Sequence, residues 1–283
     1  MWEWIVEPWR YGFMRQALAA TLIVGATCSL LGVYVVLRRM AFVGDAIAHT
    51  TLPGLAIAYL NRWNLLAGAL VAALATALGI GWLSRGRRLR EDAAIGVAFS
   101  GMFAFGVALT SRMKSQRDFA HLLFGNVLAV TTADLIGLAA AGALTCGALW
   151  LFHKEWMLTA IDPLHAQTIG LSPEWMRQLL LVLLALAVVS GIQAVGVVLT
   201  TSLMVTPAAS AALITRRLPW MFAWSAAFAG IGGVVGLYAS YYLSISAGAS
   251  IVLACTLLFG LASLAARWRQ RNTPPDSSAG CGP

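Results

Sequence analysis

The chain has 283 residues, 60% of them hydrophobic and 11% charged, with 19 Lys and Arg against 11 Asp and Glu for a net charge of +8. A soluble domain carries about 25% charge, so a water-soluble globule is excluded, as the mean hydropathy of +0.80 also indicates. The basic excess does not describe a nucleic-acid binder, because Lys and Arg sit in short clusters between apolar blocks, the pattern of membrane-protein loops.

Apolar blocks are predicted at 17–37, 46–60, 65–83, 93–110, 133–152, 178–192, 195–214, 220–242 and 249–266. Runs of roughly 18 or more apolar residues cross about 30 Å of hydrocarbon, and with no water to satisfy the backbone they must be helices. The predicted fold is all-α: a polytopic transmembrane helical bundle of eight or nine spans. The number is open because the second block is short and the amphipathic stretch 119–130 either lies in the interface or re-enters. Glu3 and Glu7 at the N-terminus, followed by a run long enough to span, make a poor signal peptide. Cys28, Cys146, Cys255 and Cys281 form no close pair, so neither a disulfide framework nor a zinc knuckle is expected.

The Lys and Arg clusters set the expected orientation. Arg38 with Arg39, the group Arg85, Arg87, Arg88 and Arg90, Lys154 with Arg177, Arg216 with Arg217, and Arg267, Arg269 and Arg271 share one side if every block crosses. That side is expected to be cytoplasmic, with the N-terminus outside and the C-terminus inside. Arg10, Arg15, Arg112, Lys114 and Arg117 disagree and are outnumbered. The expected organisation is one transmembrane domain over 1–270 and a polar tail over 271–283, rich in Pro, Gly and Ser, that reads as disordered.

Ionisable groups inside spans are costly and so mark function. Asp45 and His49 are four apart, on one helix face a turn apart, and a carboxylate and an imidazole so placed can jointly ligate zinc or manganese. One copy supplies two ligands, and two copies about a two-fold axis supply four. The alternative is that Asp45 caps the helix after Gly44 and His49 is an ordinary hydrogen-bonded residue of the bundle. Pro53 and Gly54 are expected to break the helix and free backbone carbonyls beside the pair.

Between two spans, Asp162 reads as an N-cap, Pro163 as the first helical residue and Gly170 as the C-terminal stop. The helix so defined has about two turns and cannot stand alone. It either docks on a cytoplasmic partner or lies in the interface as a plain loop helix. Ser202, Thr206 and Ser210 form a stripe read as close helix packing, as do Gly232 and Gly236. Tyr238, Tyr241 and Tyr242 read as an aromatic belt. His121, His153 and His165 have no carboxylate at ligand spacing and receive no role. No hydrolase motif is present, and no enzyme activity is expected. No Gly-rich phosphate loop is present either, so if ATP drives the protein another chain must bind it.

At this point the sequence resembles the permease subunits of manganese, zinc and iron ABC importers, from about Leu18 to Ala265. The resemblance rests on Leu37-Arg38-Arg39-Met40-Ala41-Phe42-Val43-Gly44-Asp45-Ala46-Ile47-Ala48-His49 with Leu52-Pro53-Gly54, and on Leu123-Phe124-Gly125-Asn126-Val127-Leu128-Ala129-Val130. It extends to Ile161-Asp162-Pro163, Gln193-Ala194-Val195-Gly196-Val197-Val198-Leu199, Val205-Thr206-Pro207-Ala208-Ala209, Gly236-Leu237-Tyr238 and Ser240-Tyr241-Tyr242. It implies a permease in a bacterial inner membrane that pairs with a second permease copy, identical or paralogous. It implies a cytoplasmic ATP-binding subunit that docks around Asp162, Pro163, Leu164, Ala166 and Gly170. It also implies a periplasmic or surface-anchored metal-binding protein, and a metal site at Asp45 and His49. The cargo is a divalent manganese, zinc or iron ion, and no cofactor is permanently bound. The region of Glu155 and the stretch 193–199 look more like the manganese/iron branch. The rival readings are a secondary, ion-coupled metal transporter, which would need several buried carboxylates where Asp45 and Asp134 stand out, an ABC permease for a metal chelate, and a non-transport membrane scaffold.

Overall fold

The structure is a computed structural model that describes residues 7–85, 90–111 and 127–272, without side chains at 8–9 and 269–272. It is all-helical among those residues. Eight helices are long and apolar enough to cross a membrane: α1 (Gly12–Leu37), α4 (Leu65–Leu83), α5 (Glu91–Thr110), α6 (Thr132–Leu151), α9 (Pro173–Val195), α10 (Val197–Ile214), α11 (Leu218–Leu243) and α12 (Ala247–Asn272). Four shorter helices complete the set: α2 (Val43–His49), α3 (Leu52–Leu60), α7 (His153–Ile161) and α8 (Pro163–Thr168). The expected helical bundle is therefore present. The tail 273–283, the middle of the arginine cluster at 86–89, and 112–126, which holds Arg112, Lys114, Arg117 and His121, lie outside the described residues. The end of the amphipathic stretch is a short 3-10 turn at Val127–Ala129.

Burial sorts the spans. Two-thirds of the apolar window is buried in α1 and in α9 (67% each), against 17% in α5 and 22% in α6 and α12. A helix apolar all round but largely uncovered needs lipid or another protein against it. So α1 and α9 form the centre, and α5, α6 and α12 the perimeter.

Sequence block 46–60 is not one continuous helix. It is α2 and α3, broken at Thr50 and Thr51, with Pro53 in the first turn of α3. The break comes two residues before the proline, because the residues ahead of Pro resist continuing a helix and both threonine hydroxyls turn back onto it. Thr50 donates to the Ile47 carbonyl at 3.0 Å and Thr51 to that of Ala48 at 2.6 Å. The carbonyls expected to be free beside the break are thus partly taken.

Block 93–110 begins two residues earlier than predicted, so α5 opens with Glu91 and Asp92 in its first turn. These acids favour the positive end of the helix dipole. Asp134, by contrast, is engaged in a capping box with Thr131, accepting from its N–H at 3.0 Å and its hydroxyl at 2.7 Å.

The hydroxyl stripe on α10 behaves as packing. Ser210 donates to the Thr206 carbonyl within its own helix, and Pro207 sits inside an unbroken α10. At Gly232 an added Cβ would meet Cys255 Sγ, and at Gly236 the Ile251 backbone, so this pair packs α11 on α12 as expected. Near Asp45 and His49, Gly54 and Gly68 face each other: a Cβ on either would collide with the other's carbonyl oxygen. Gly68→Ala should therefore push α3 off α4 and cost about 1–3 kcal/mol. A thermal unfolding midpoint in detergent unchanged by Gly68→Ala would contradict this packing.

Candidate metal site

The site begins at the end of α1. There Arg39 takes a left-handed conformation (φ 60°), the Met40 N–H bonds the Val35 carbonyl at 3.0 Å and the Arg39 N–H that of Val36 at 3.1 Å. These two bonds are the Schellman arrangement that closes a helix, here with arginine in place of glycine. The chain reverses through Met40 to Phe42 and starts α2, whose N-cap is Phe42 with no side-chain cap. Asp45 thus stands inside the first turn and does not occupy the cap position.

Asp45 Oδ1 lies 3.6 Å from His49 Nε2, with 52% of the Asp45 side chain and 35% of the His49 side chain exposed. That separation is long for a hydrogen bond. Two donors of one cation at metal–ligand bonds of about 2.1 Å stand about 3.0–3.5 Å apart, so the pair is slightly wider than a shared cation would hold it. The carboxylate supplies charge and the imidazole a borderline nitrogen, a set that accepts divalent manganese, iron and zinc alike. Pro53, four residues after His49, has no N–H to offer the His49 carbonyl.

The imidazole is held from α5. Phe99 and Phe103 stack on each other, centroids 5.6 Å apart, and both meet His49 edge-to-face at 6.2 and 6.0 Å. These contacts fix the ring plane and leave Nε2 directed at Asp45. A cleft of about 270 Å³ opens beside the pair, lined by Phe42, Asp45, Asp92, Ile95 and Phe99. Sequence reading missed Asp92, Phe99 and Phe103. The i,i+4 spacing of the two phenylalanines was a usable signal, and Asp92 was hidden by the misplaced start of α5.

Among the described residues no group of three or more His, Cys, Asp and Glu could hold a metal. Asp45 and His49 stand as a pair and fall short of such a group.

The predicted short helix is present as α8, built as its sequence dictates. Asp162 accepts from the Leu164 N–H at 3.1 Å and the His165 N–H at 2.9 Å, and Pro163 opens the helix. Gly170 (φ 85°) ends it, with Leu171 N–H to the Ala166 carbonyl at 3.0 Å and Gly170 N–H to that of Gln167 at 3.1 Å, a second Schellman closure. Ala166 is fully buried, while Ile161, Leu164 and Ile169 are 63%, 63% and 56% exposed. Leu164 on the six-residue helix, with Ile161 before it and Ile169 after it, makes an exposed apolar patch.

Helix α7 bolts this element to the bundle. Trp156 is fully buried and donates from Nε1 to the Met176 carbonyl at 2.8 Å. His153 Nδ1 meets the Tyr34 hydroxyl at 2.9 Å, and Arg38 Nη2 donates to Thr159 Oγ1 at 3.0 Å. His153 thus has a structural role in joining α7 to α1.

Eight long apolar helices, a broken helix carrying an Asp/His pair and a separate short exposed helix define a polytopic membrane protein. Residues 10–266 match the model of the ABC 3 transport family, and the chain belongs to that family. It is 38% identical over 255 residues to the manganese transport system membrane protein MntC of Listeria innocua, covering 90% of this chain and 91% of that protein. It is 35% identical to the chelated iron transport system membrane protein YfeD of Yersinia pestis, covering 91% and 87%. Its fold is similar to that of PsaBC from Streptococcus pneumoniae, solved in complex with Fab, with a TM-score of 0.81, 32% identity, and 96% and 99% of the two chains covered.

Proposed function

We propose that the chain is the membrane-spanning permease subunit of an ATP-driven importer for a free divalent metal ion, manganese or iron, in a bacterial inner membrane. The observation that carries the reading is the Asp45–His49 pair, 3.6 Å apart on a helix that ends at a break and faces a cleft. Two copies about a two-fold axis bring together two carboxylates and two imidazoles, enough donors for a divalent ion. The relatives named for manganese transport and for chelated iron transport support manganese or iron over zinc.

In this reading α8, with Asp162, Pro163, Leu164, Ala166 and Gly170, is the coupling helix that docks on a cytoplasmic ATP-binding subunit. A binding protein outside the membrane delivers the metal. The test is uptake of radioactive manganese and iron in cells stripped of their other importers, with and without the chain and its co-purifying ATPase. Metal uptake independent of both would refute the proposal.

Orientation follows. The eight spans together with a ninth crossing by the broken α2–α3 pair put the termini on opposite sides. With the arginine clusters inside, single cysteines at Asn61 or Asn64 should react with an impermeant thiol reagent in intact cells, and cysteines at Arg85 or Arg267 should react after lysis. Labelling at position 85 in intact cells would overturn this topology.

A further inference from the structure

At the end of the bundle that carries α8, a second cavity of about 500 Å³ lies between the ends of α1, α4, α5, α7, α8 and α9. Four arginines line it (Arg38, Arg39, Arg90, Arg177) against two carboxylates (Glu91, Glu174), an excess of two positive charges by subtraction. Arg177 consumes Glu91 in a 3.1 Å ion pair and also donates to the Gly81 carbonyl at 3.4 Å. Arg38 has no carboxylate in ion-pair contact among the described residues. It donates to the neutral Thr159 hydroxyl, and its Nε, closed off from solvent, has no partner, as is also true of Arg177 Nε. Burial pushes the Arg38 pKa below the usual arginine value, against the pull of Glu91 and with the push of Arg177. A buried guanidinium is costly unless paired and fully hydrogen-bonded, and among the described residues Arg38 has neither a carboxylate in ion-pair contact nor a partner for its Nε, although Glu174 lines the same cavity.

We propose that the cavity is a socket for an acidic side chain of the cytoplasmic ATPase, whose carboxylate seats against Arg38 with Arg39 and Arg90 at the rim. The inference rests on the reading of α8 as the coupling helix. Pro163 and Gln167 of α8 form one wall of the cavity, and Leu164 points to solvent, so a partner seated on α8 also reaches the mouth. The ends of α1 and α9, the two most buried spans, line the cavity together with the start of the perimeter span α5. A carboxylate there completes a charge-assisted bond set of the kind Arg prefers.

The test uses the permease assembled with its co-purified ATPase in nanodiscs. Arg38→Gln should weaken ATPase binding at least about tenfold, or about 1.4 kcal/mol. The exposed rim double variant Arg39→Gln/Arg90→Gln should slow association at low salt, as loss of steering charge does. It keeps the test decisive if Arg38→Gln fails to assemble. One Asp or Glu to Lys change on the ATPase should reproduce the loss, and Arg39→Glu should restore part of it. Unchanged ATPase affinity in the Arg38 and rim variants, while Leu164→Asp still releases the ATPase, overturns the socket and leaves the coupling helix standing. If Leu164→Asp also has no effect, the coupling reading falls and the socket with it. A phosphatidylglycerol dependence of ATP hydrolysis that vanishes in Arg38→Gln at unchanged ATPase affinity would assign the cavity to a lipid phosphate and overturn the proposal.

Discussion

Asp45→Asn should reduce metal uptake as severely as Asp45→Ala, by at least about tenfold, the factor that corresponds to about 1.4 kcal/mol. Asn keeps the size and hydrogen-bonding oxygen of Asp but loses the charge, so it would serve nearly as well wherever the residue only capped a helix. Here the cap position is Phe42, and the carboxylate faces His49 Nε2. The charge is therefore what the position provides, and a cation in the membrane needs it. His49→Ala should match the Asp45 variants, while Phe103→Leu, which removes one edge-to-face contact and no ligand, should give a partial loss. Dimer assembly should be unchanged throughout. The ligand reading is falsified if Asp45→Asn and His49→Ala both sustain wild-type manganese and iron uptake.

The pair was legible because its cue is local: two ionisable residues four apart in an apolar run can share only one helix face. The same locality made α8 legible, since Asp162, Pro163 and Gly170 carry the cap, the first turn and the stop within nine positions. Helix ends were less legible where the chain departs from the usual residue choice. Arg39, Arg62 and Ser244 hold positive φ, and a left-handed stop at a non-glycine residue has no distinct sequence signature. A break near Pro53 was legible, but its place at Thr50 and Thr51 involves threonine hydroxyls taking carbonyls three residues back, and Thr in an apolar run gives no sign of whether it will do so. The aromatic support of His49, the acid at Asp92 and the unpaired Arg38 depend on which helices meet, information that periodicity does not hold. The membrane weakens periodicity further, because a span facing lipid on one side and protein on the other is apolar on both.

Replacing Pro163 and Leu164 with Asp should abolish metal-stimulated ATP hydrolysis in the assembled transporter while the permease stays folded in the membrane. Leu164 is 63% exposed beside Ile161 and Ile169, so a charge there meets no internal neighbour, but it would desolvate in any apolar docking cleft. The helix itself should survive, because its closure at Ala166, Gln167, Gly170 and Leu171 is backbone to backbone and Asp is accepted in a first turn. The loss should therefore be one of contact and not of fold. Its reach follows from the bolts between elements: α8 continues from α7, α7 is tied to Tyr34 and Arg38, and α1 turns through Arg39 into the helix that carries Asp45. On the coupling reading, a displacement of α8 would reach Asp45 and His49 through these joints. Thr159→Val, which keeps the shape and deletes the acceptor for Arg38, should leave ATPase binding in place and lower metal uptake per ATP hydrolysed. If the Pro163 and Leu164 double variant retains stimulated hydrolysis, α8 is an ordinary interfacial helix and this route carries nothing.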